Sequence, residues 1–296
     1  MSIAIIGAGK WGTALHFAIS QKLTCKITSR TKKELEHFVS LQDALTCKYL
    51  IFALPAQMIR QWLAENFVFD GQKILVAAKG IEQGSGAFLN EIYSQYVPSS
   101  HLAFLSGPSF ATEVMQSLPT CVVINSHNET LSKELSAFFP NFMKTYTSTD
   151  VIGAEICGAY KNVLAIASGI CDGLELGNNA RASLISRGLV EMQRFGLIFG
   201  AKEDTFLGLS GAGDLFLTAS STLSRNYRVG LGLAKGEELS QILQRLGEVA
   251  EGVFTSEAIK QLSLKHKIYT PIAHEVHEIL QGKSPKQSLY DLLADR

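Results

Sequence analysis

The sequence predicts an α/β protein in two parts: a doubly wound domain of strands and helices over residues 1–147, then an all-α domain over residues 148–296. Three observations lead there. The short apolar run Ile3-Ala4-Ile5-Ile6 passes directly into Gly7-Ala8-Gly9-Lys10-Trp11-Gly12, and then into a segment of helical character from Thr13 to Ile19. Strand-like and helix-like segments alternate from there to about residue 147, the pattern of a parallel sheet with crossover helices. Beyond Ser148-Thr149-Asp150, polar residues suited to capping a helix, the patterns are helical and no strand-like run stands out.

The expected strands are Ile3–Ile6, Cys25–Thr28, Tyr49–Ala53, Lys73–Ala77, Leu102–Leu105, Cys121–Ile124 and Met143–Tyr146. They are apolar enough to be covered on both faces, as a parallel sheet requires. Between them, Lys32–Phe38, Gln57–Glu65, Ala87–Tyr96 and Glu129–Phe138 read as helices. The second part offers Val151–Cys171, Asn179–Phe199, Arg228–Lys235, Leu239–Leu246, Ser256–Lys265 and Ile272–Leu280. In the first of these, Ala154, Gly158, Asn162, Ala165 and Gly169 fall at helical spacing, a small-residue stripe that would admit another backbone.

The opening G-x-G-x-x-G is informative because of its place between strand and helix. Gly7 permits a sharp turn, Gly9 lets a pyrophosphate approach the backbone, and Gly12 allows close helix–strand packing. The helix N-terminus adds free N–H groups and a partial positive charge. This is the signature of a Rossmann-type dinucleotide domain. In an NAD site a carboxylate is expected at the end of the second strand. Here that strand ends Thr28-Ser29-Arg30-Thr31-Lys32-Lys33, with no carboxylate before Glu34. Arg30 and the lysines would attract a 2′-phosphate, which favours NADP(H), with NAD(H) as the alternative. A solvated, basic helix start is the other account of the same residues.

Composition excludes several classes. Lys+Arg and Asp+Glu are both 27, so no global basic field draws the chain to nucleic acid. No apolar run reaches the roughly 18 residues of a membrane span, and no basic region precedes the first apolar segment, so a cytoplasmic protein is expected. The five cysteines have no zinc spacing and read as buried thiols. His266, His274 and His277 read as surface or packing residues, and no metal site is expected.

Four stretches are more polar or glycine-rich than packing asks. Lys79, in Ala77-Ala78-Lys79-Gly80, follows a strand and falls where open α/β sheets bind ligands, unless it is a surface lysine in a turn. Ser109, in Ser106-Gly107-Pro108-Ser109-Phe110-Ala111, would cap the next helix, bind an anion, or do both. Lys161-Asn162 interrupts an otherwise apolar helix; burial or a cation such as Lys79 would lower the lysine's ordinary pKa of about 10.4 and suit it to donate a proton. An ion pair with Asp214 or Glu155 is the competing account. Finally, Asp214, in Gly211-Ala212-Gly213-Asp214, would hold a catalytic lysine or bind a substrate hydroxyl. Ser224-Arg225-Asn226 offers donors for a phosphate, or forms an ordinary turn and helix cap.

Taken in order, these stretches resemble bacterial NAD(P)-dependent glycerol-3-phosphate dehydrogenase along nearly the whole chain. The resemblance runs through Gly7–Leu15, Ala78–Glu82, Gly107–Ala111, Lys161-Asn162, Asp172–Leu174, Asn178–Ala182, Gly213–Leu215, Leu223–Asn226 and Gly247–Gly252. It implies reversible reduction of dihydroxyacetone phosphate to sn-glycerol 3-phosphate, feeding glycerophospholipid synthesis. It also implies a helical substrate domain, a cleft between domains, and a homodimer. By the same resemblance Lys161 transfers the proton, and Lys79, Gly107, Ser109, Asp214, Ser224, Arg225 and Asn226 line the substrate site. Lys10, Trp11, Arg30, Lys79, Ala111, Arg225, Val249 and Glu251 face the cofactor. Lys10 stands where serine is common, and Tyr160 and Ala212 where leucine is common. Two rivals are weighed against this: a reductase of hydroxy acids, which would bind a carboxylate, and a non-catalytic NADP sensor, which would not need Lys161 or Asp214.

Overall fold

The computed structural model describes residues 2–247 and 249–294; Glu248, in the last of the resembling stretches, lies outside them. Seven strands, β1 (Ile3–Ile6), β2 (Lys26–Thr28), β3 (Tyr49–Phe52), β4 (Lys73–Val76), β5 (Leu102–Ser106), β6 (Thr120–Asn125) and β7 (Met143–Ser148), form one sheet. Their order is β2-β1-β3-β4-β5-β6-β7. The chain leaves β1 for β2 on one side and returns to β3 on the other, so the sheet's switch point lies at β1 and β3. The helices of this half are α1 (Lys10–Ser20), α2 (Leu41–Leu45), α3 (Ile59–Asn66), α4 (Leu89–Tyr93), α5 (Ala111–Val114) and α6 (Glu129–Ser136). Every residue of β1, β3 and β5 is buried, as coverage of both faces demands. The edge strand β7 differs: Lys144, Tyr146 and Thr147 are exposed along it.

Two expectations are corrected here. The sheet is not wholly parallel, because β5 and β6 run antiparallel with Leu105 opposite Ile124. Of the connection between them, residues 107–119, only the four residues of α5 are helical, about 6 Å, where a parallel crossover usually carries a longer helix across the sheet. Lys32–Phe38 is not a helix. The segment lies beside β2 instead: the Ile27 N–H donates to the His37 carbonyl (3.1 Å) and Val39 N–H to the Ile27 carbonyl (3.0 Å). His37 takes the left-handed conformation, φ 55°, which stops a helix. A helix of seven residues has little stability of its own, while the outer edge of β2 offers backbone partners.

The second half contains α7 (Val151–Gly173), α8 (Gly177–Ile198), α9 (Glu203–Leu207), α10 (Asp214–Ala219), α11 (Arg225–Ala234), α12 (Leu239–Leu246), α13 (Glu251–His266), α14 (Pro271–Leu280) and α15 (Pro285–Ala294). Against the expectation of no such span, α7 is long and apolar enough to cross a membrane; 94% of its apolar window is buried within the protein, which makes it a core helix. The small-residue stripe has the expected use. A Cβ on Gly169 would lie 2.0 Å from the Tyr227 carbonyl oxygen, and one on Gly230 would lie 2.1 Å from that of Ile166. Helices α7 and α11 therefore cross with backbone against backbone.

Tyr160 has an evident place. Its hydroxyl donates to Glu191 (2.8 Å), and the same buried carboxylate accepts from the N–H groups of Ile272 (2.8 Å) and Ala273 (2.9 Å). Glu191 on α8 thus caps α14, whose own N-cap Thr270 makes no side-chain bond to the helix's first turn. Burial pushes its carboxyl above the ordinary range, although all three donors favour the charge.

The chain divides into two compact units, Met1–Lys79 with Leu89–Ala154, and Gly80–Phe88 with Glu155–Arg296. The short segment explains why α4 begins at Leu89 instead of Ala87. Ile81 and Phe88 pair as an antiparallel bridge, and the segment packs within the second unit. Gln83 donates to Glu257 (2.5 Å), Phe88 meets Phe199 edge-on at 5.2 Å, and Gly86 lies against Leu262.

Candidate functional site

In the first unit, β1 ends in the glycine turn. Gly7 has φ +109°, and a Cβ there would lie 2.6 Å from the Ala53 carbonyl oxygen at the end of β3. A Cβ on Gly12 would lie 1.8 Å from the Gly7 carbonyl oxygen, so helix and turn touch there. Gly9 differs: a Cβ would meet nothing within 4 Å. It is the N-cap of α1 and supplies no side-chain acceptor to the first turn. An open backbone at a helix N-terminus, outside the carboxyl end of a strand at the switch point, fits a dinucleotide pyrophosphate. Lys10 is exposed and Trp11 half-buried in the first turn of α1, and Arg30 is exposed just past β2. Lys33, which sequence reasoning grouped with Arg30 without assigning it to the site, donates to the Ala8 carbonyl inside the turn.

At the ends of β4 and β5 the structure brings together Lys79, Gly107 and Ser109. The Gly107 carbonyl accepts from Lys79 Nζ (3.2 Å) and from Ser109 Oγ (3.1 Å). Gly107 has φ +98°, a region that favours glycine. The expected cap is absent: Phe110 is the N-cap of α5, and Ser109 Oγ is turned to the Gly107 carbonyl. Ala111 opens α5 and is half-buried.

In the second unit, Lys161 on α7 is 8% exposed and Asp214 at the start of α10 is 1% exposed. Lys161 Nζ donates to Asp214 Oδ1 (2.5 Å) and to Thr218 Oγ1 (3.0 Å), and Thr218 lies 3.3 Å from the same carboxylate oxygen. These two bonds fix the direction of the buried Nζ. Sequence reasoning missed Thr218; its signal was the Asp–x–x–x–Thr spacing, which puts both side chains on one face of a helix.

Ser224, Arg225 and Asn226 open α11. Ser224 is the N-cap, its Oγ accepting from the Tyr227 N–H (3.3 Å), so the plain cap reading holds for it. Arg225 is exposed at the first helical position. Asn226 is buried, donating from Nδ2 to Asn162 Oδ1 (2.9 Å) and accepting at Oδ1 from the Gly252 N–H (3.0 Å). Asp172 anchors the same turn, accepting from the Tyr227 hydroxyl (2.6 Å) and from Arg181 (3.1 Å). Burial and that carboxylate push the Tyr227 phenol up to about 12. Val249 is exposed, and Glu251 is half-buried as the first residue of α13.

Among known proteins, two family models match the chain. That for the NAD-dependent glycerol-3-phosphate dehydrogenase N-terminus covers residues 28–132, and that for its C-terminus covers residues 150–291. Glycerol-3-phosphate dehydrogenase [NAD(P)+] of Sulfurimonas denitrificans is 60% identical over 293 residues, 99% of each chain. The Nitratiruptor protein of the same name is 62% identical over 99% of this chain and 98% of its own. The crystal structure of glycerol-3-phosphate dehydrogenase from Coxiella burnetii superposes with a TM-score of 0.91 at 33% identity, covering 99% of this chain and 98% of that one. With both halves matched and the likeness running end to end, the chain belongs to the NAD-dependent glycerol-3-phosphate dehydrogenase family.

Proposed function

We propose that this chain reversibly reduces dihydroxyacetone phosphate to sn-glycerol 3-phosphate in the cytoplasm, as a homodimer, with NADPH preferred over NADH and the product feeding glycerophospholipid synthesis. The buried group Lys161–Asp214–Thr218 carries the reading. A sensor that only bound dinucleotide would have no use for a charged pair inside an apolar helix, where burial without function is costly.

Lys161 is the catalytic acid: its Nζ donates a proton to the ketone oxygen, and takes it back in the reverse direction. Asp214 and Thr218 hold Nζ in one direction and keep it protonated until transfer. Arg225 and the second Nδ2 hydrogen of Asn226 bind the substrate phosphate, the first as a charged fork, with Ser224 setting the start of their helix. Lys79, tethered with Ser109 to the Gly107 carbonyl, adds a second cation for the substrate. The turn Gly7–Gly12, with Lys10, Trp11, Arg30, Ala111, Arg225, Val249 and Glu251, holds the dinucleotide, which supplies the hydride when bound. The basic run at Arg30, with Lys33 donating into the glycine turn, supports the preference for a 2′-phosphate.

The test is absorbance loss of NADPH, and separately NADH, on adding dihydroxyacetone phosphate to the purified protein. Rapid substrate-dependent oxidation is expected, faster with NADPH at limiting cofactor. No oxidation of either cofactor, in protein that binds NADPH, would refute the substrate assignment.

A further inference from the structure

A row of amides runs through the second unit beside the proposed phosphate site. It begins at a backbone donor, the Gly252 N–H, which bonds to Asn226 Oδ1 (3.0 Å). Asn226 Nδ2 donates to Asn162 Oδ1 (2.9 Å), and Asn162 Nδ2 donates to the Gly158 carbonyl one turn back on α7 (3.2 Å). Both ends are backbone groups of fixed polarity. The donor at Gly252 requires an oxygen on Asn226, which turns Nδ2 toward Asn162; the acceptor at Gly158 requires Asn162 to present its nitrogen there. Neither amide can flip without setting like against like. Both side chains are buried, Asn162 and Asn226 each at 7% exposure. Gly252 fits because it has no side chain: a Cβ would lie 2.7 Å from the Asn162 carbonyl oxygen and 2.8 Å from Asn226 Oδ1. The N-cap of α13, Ala250, supplies no acceptor, so Asn226 does that work from 26 residues away.

We infer that Asn162 and Gly252 are positioning residues for substrate phosphate, acting through Asn226. Resting on the phosphate assignment proposed above, the inference adds that the aim of Asn226's remaining N–H is set by two residues that never touch the substrate. Asn162 fixes one hydrogen of Nδ2, and planarity of the amide then fixes the other. Without Asn162 the amide rotates about its bond to Gly252, and the phosphate loses a directed donor while Lys161 keeps its partners.

The test is steady-state kinetics of Asn162→Ala, with competitive inhibition by inorganic phosphate as a probe of the phosphate site alone. KM for dihydroxyacetone phosphate and Ki for inorganic phosphate are both expected to rise about tenfold, the size of one hydrogen bond to a charged group, with kcat nearly unchanged. Glu191→Gln, which disturbs a different contact of α7, is the control and leaves both constants unmoved. A fall in kcat with KM and Ki unchanged, or equal effects in the control, overturns the inference. Wild-type protein that turns over dihydroxyacetone phosphate but is not inhibited by phosphate overturns the phosphate assignment as well, a result distinct from failure of Asn162→Ala alone. If Asn162→Ala does not fold, Asn162→Ser, whose hydroxyl is too short to bridge to Asn226, carries the same expectations.

Discussion

Breaking the Lys161–Asp214 pair from one side leaves a charge inside the second unit without its counter-ion. Lys161→Met leaves a carboxylate that is 1% exposed, and Asp214→Leu leaves a buried ammonium. Removing one partner of such a pair costs about 3–5 kcal/mol, whereas replacing both by apolar residues of similar size is near neutral or stabilising. Each single variant should therefore lower the melting temperature by roughly 6–20 °C, at about 2–4 °C per kcal/mol for a unit of this size. The double variant should recover most of the loss, giving an interaction energy of at least about 3 kcal/mol in a double-mutant cycle. Urea titration followed by far-ultraviolet circular dichroism measures all four proteins without substrate or cofactor. Additive losses, with the double variant at the sum of the singles, would refute the coupling. Losses below about 1 kcal/mol in both singles would mean that water reaches the pair as it does a surface ion pair.

Other outcomes follow from the same geometry. Gly230→Ala should destabilise by about 1–3 kcal/mol or more, because its Cβ would sit 2.1 Å from the Ile166 carbonyl oxygen; a melting temperature equal to wild type would contradict the helix crossing. Gly9→Ala should fold normally yet bind NADPH at least about tenfold more weakly in a fluorescence titration, since the space at Gly9 is open to ligand and not to protein; unchanged affinity removes the pyrophosphate from the turn. Glu191→Gln should cost about 1–3 kcal/mol by opposing an amide to a backbone donor. Glu191 holds its proton more tightly folded than unfolded, so wild-type stability falls as pH rises from its ordinary value of about 4.3 through the raised one. That slope should be absent in Glu191→Gln, and a slope shared by both proteins would assign it elsewhere.

Most of the sheet was legible because its strands are continuous apolar runs, and such runs carry their own boundaries. The antiparallel β5–β6 pair was not, because direction depends on whether a connection can span the sheet, and α5 is too short to announce itself. Lys32–Phe38 has apolar residues at Leu35 and Phe38 at a helix-compatible spacing, yet its backbone found partners on β2. At the candidate site, residue types were readable one at a time: a lysine in an apolar helix, an arginine after a cap. Their pairings were not. That Lys161 meets Thr218, and that Asn226 serves the first turn of α13, depends on partners 57 and 26 residues apart in sequence. Ser224 was read as a phosphate donor or a cap; the cap bond is present, with its oxygen as acceptor, which is compatible with a donor role for its hydroxyl.

The segment Gly80–Phe88 ties the second unit to its own birth order. It is made early, yet Gly86 rests on Leu262, and 176 residues separate the two (262 − 86). At about 5–20 residues per second the ribosome needs roughly 9–35 s to cover that distance. Phe88, buried in the finished protein, gains Phe199 only after 111 residues (199 − 88), and the seat of Gly86 on Leu262 comes later still. The nascent chain thus carries a sticky apolar tab that only late synthesis can cover. A gene cut at residue 154, the natural place to separate two units, would deliver a helical fragment missing the piece that seals it. Supplying residues 80–88 as a separate peptide is the way to make that fragment whole.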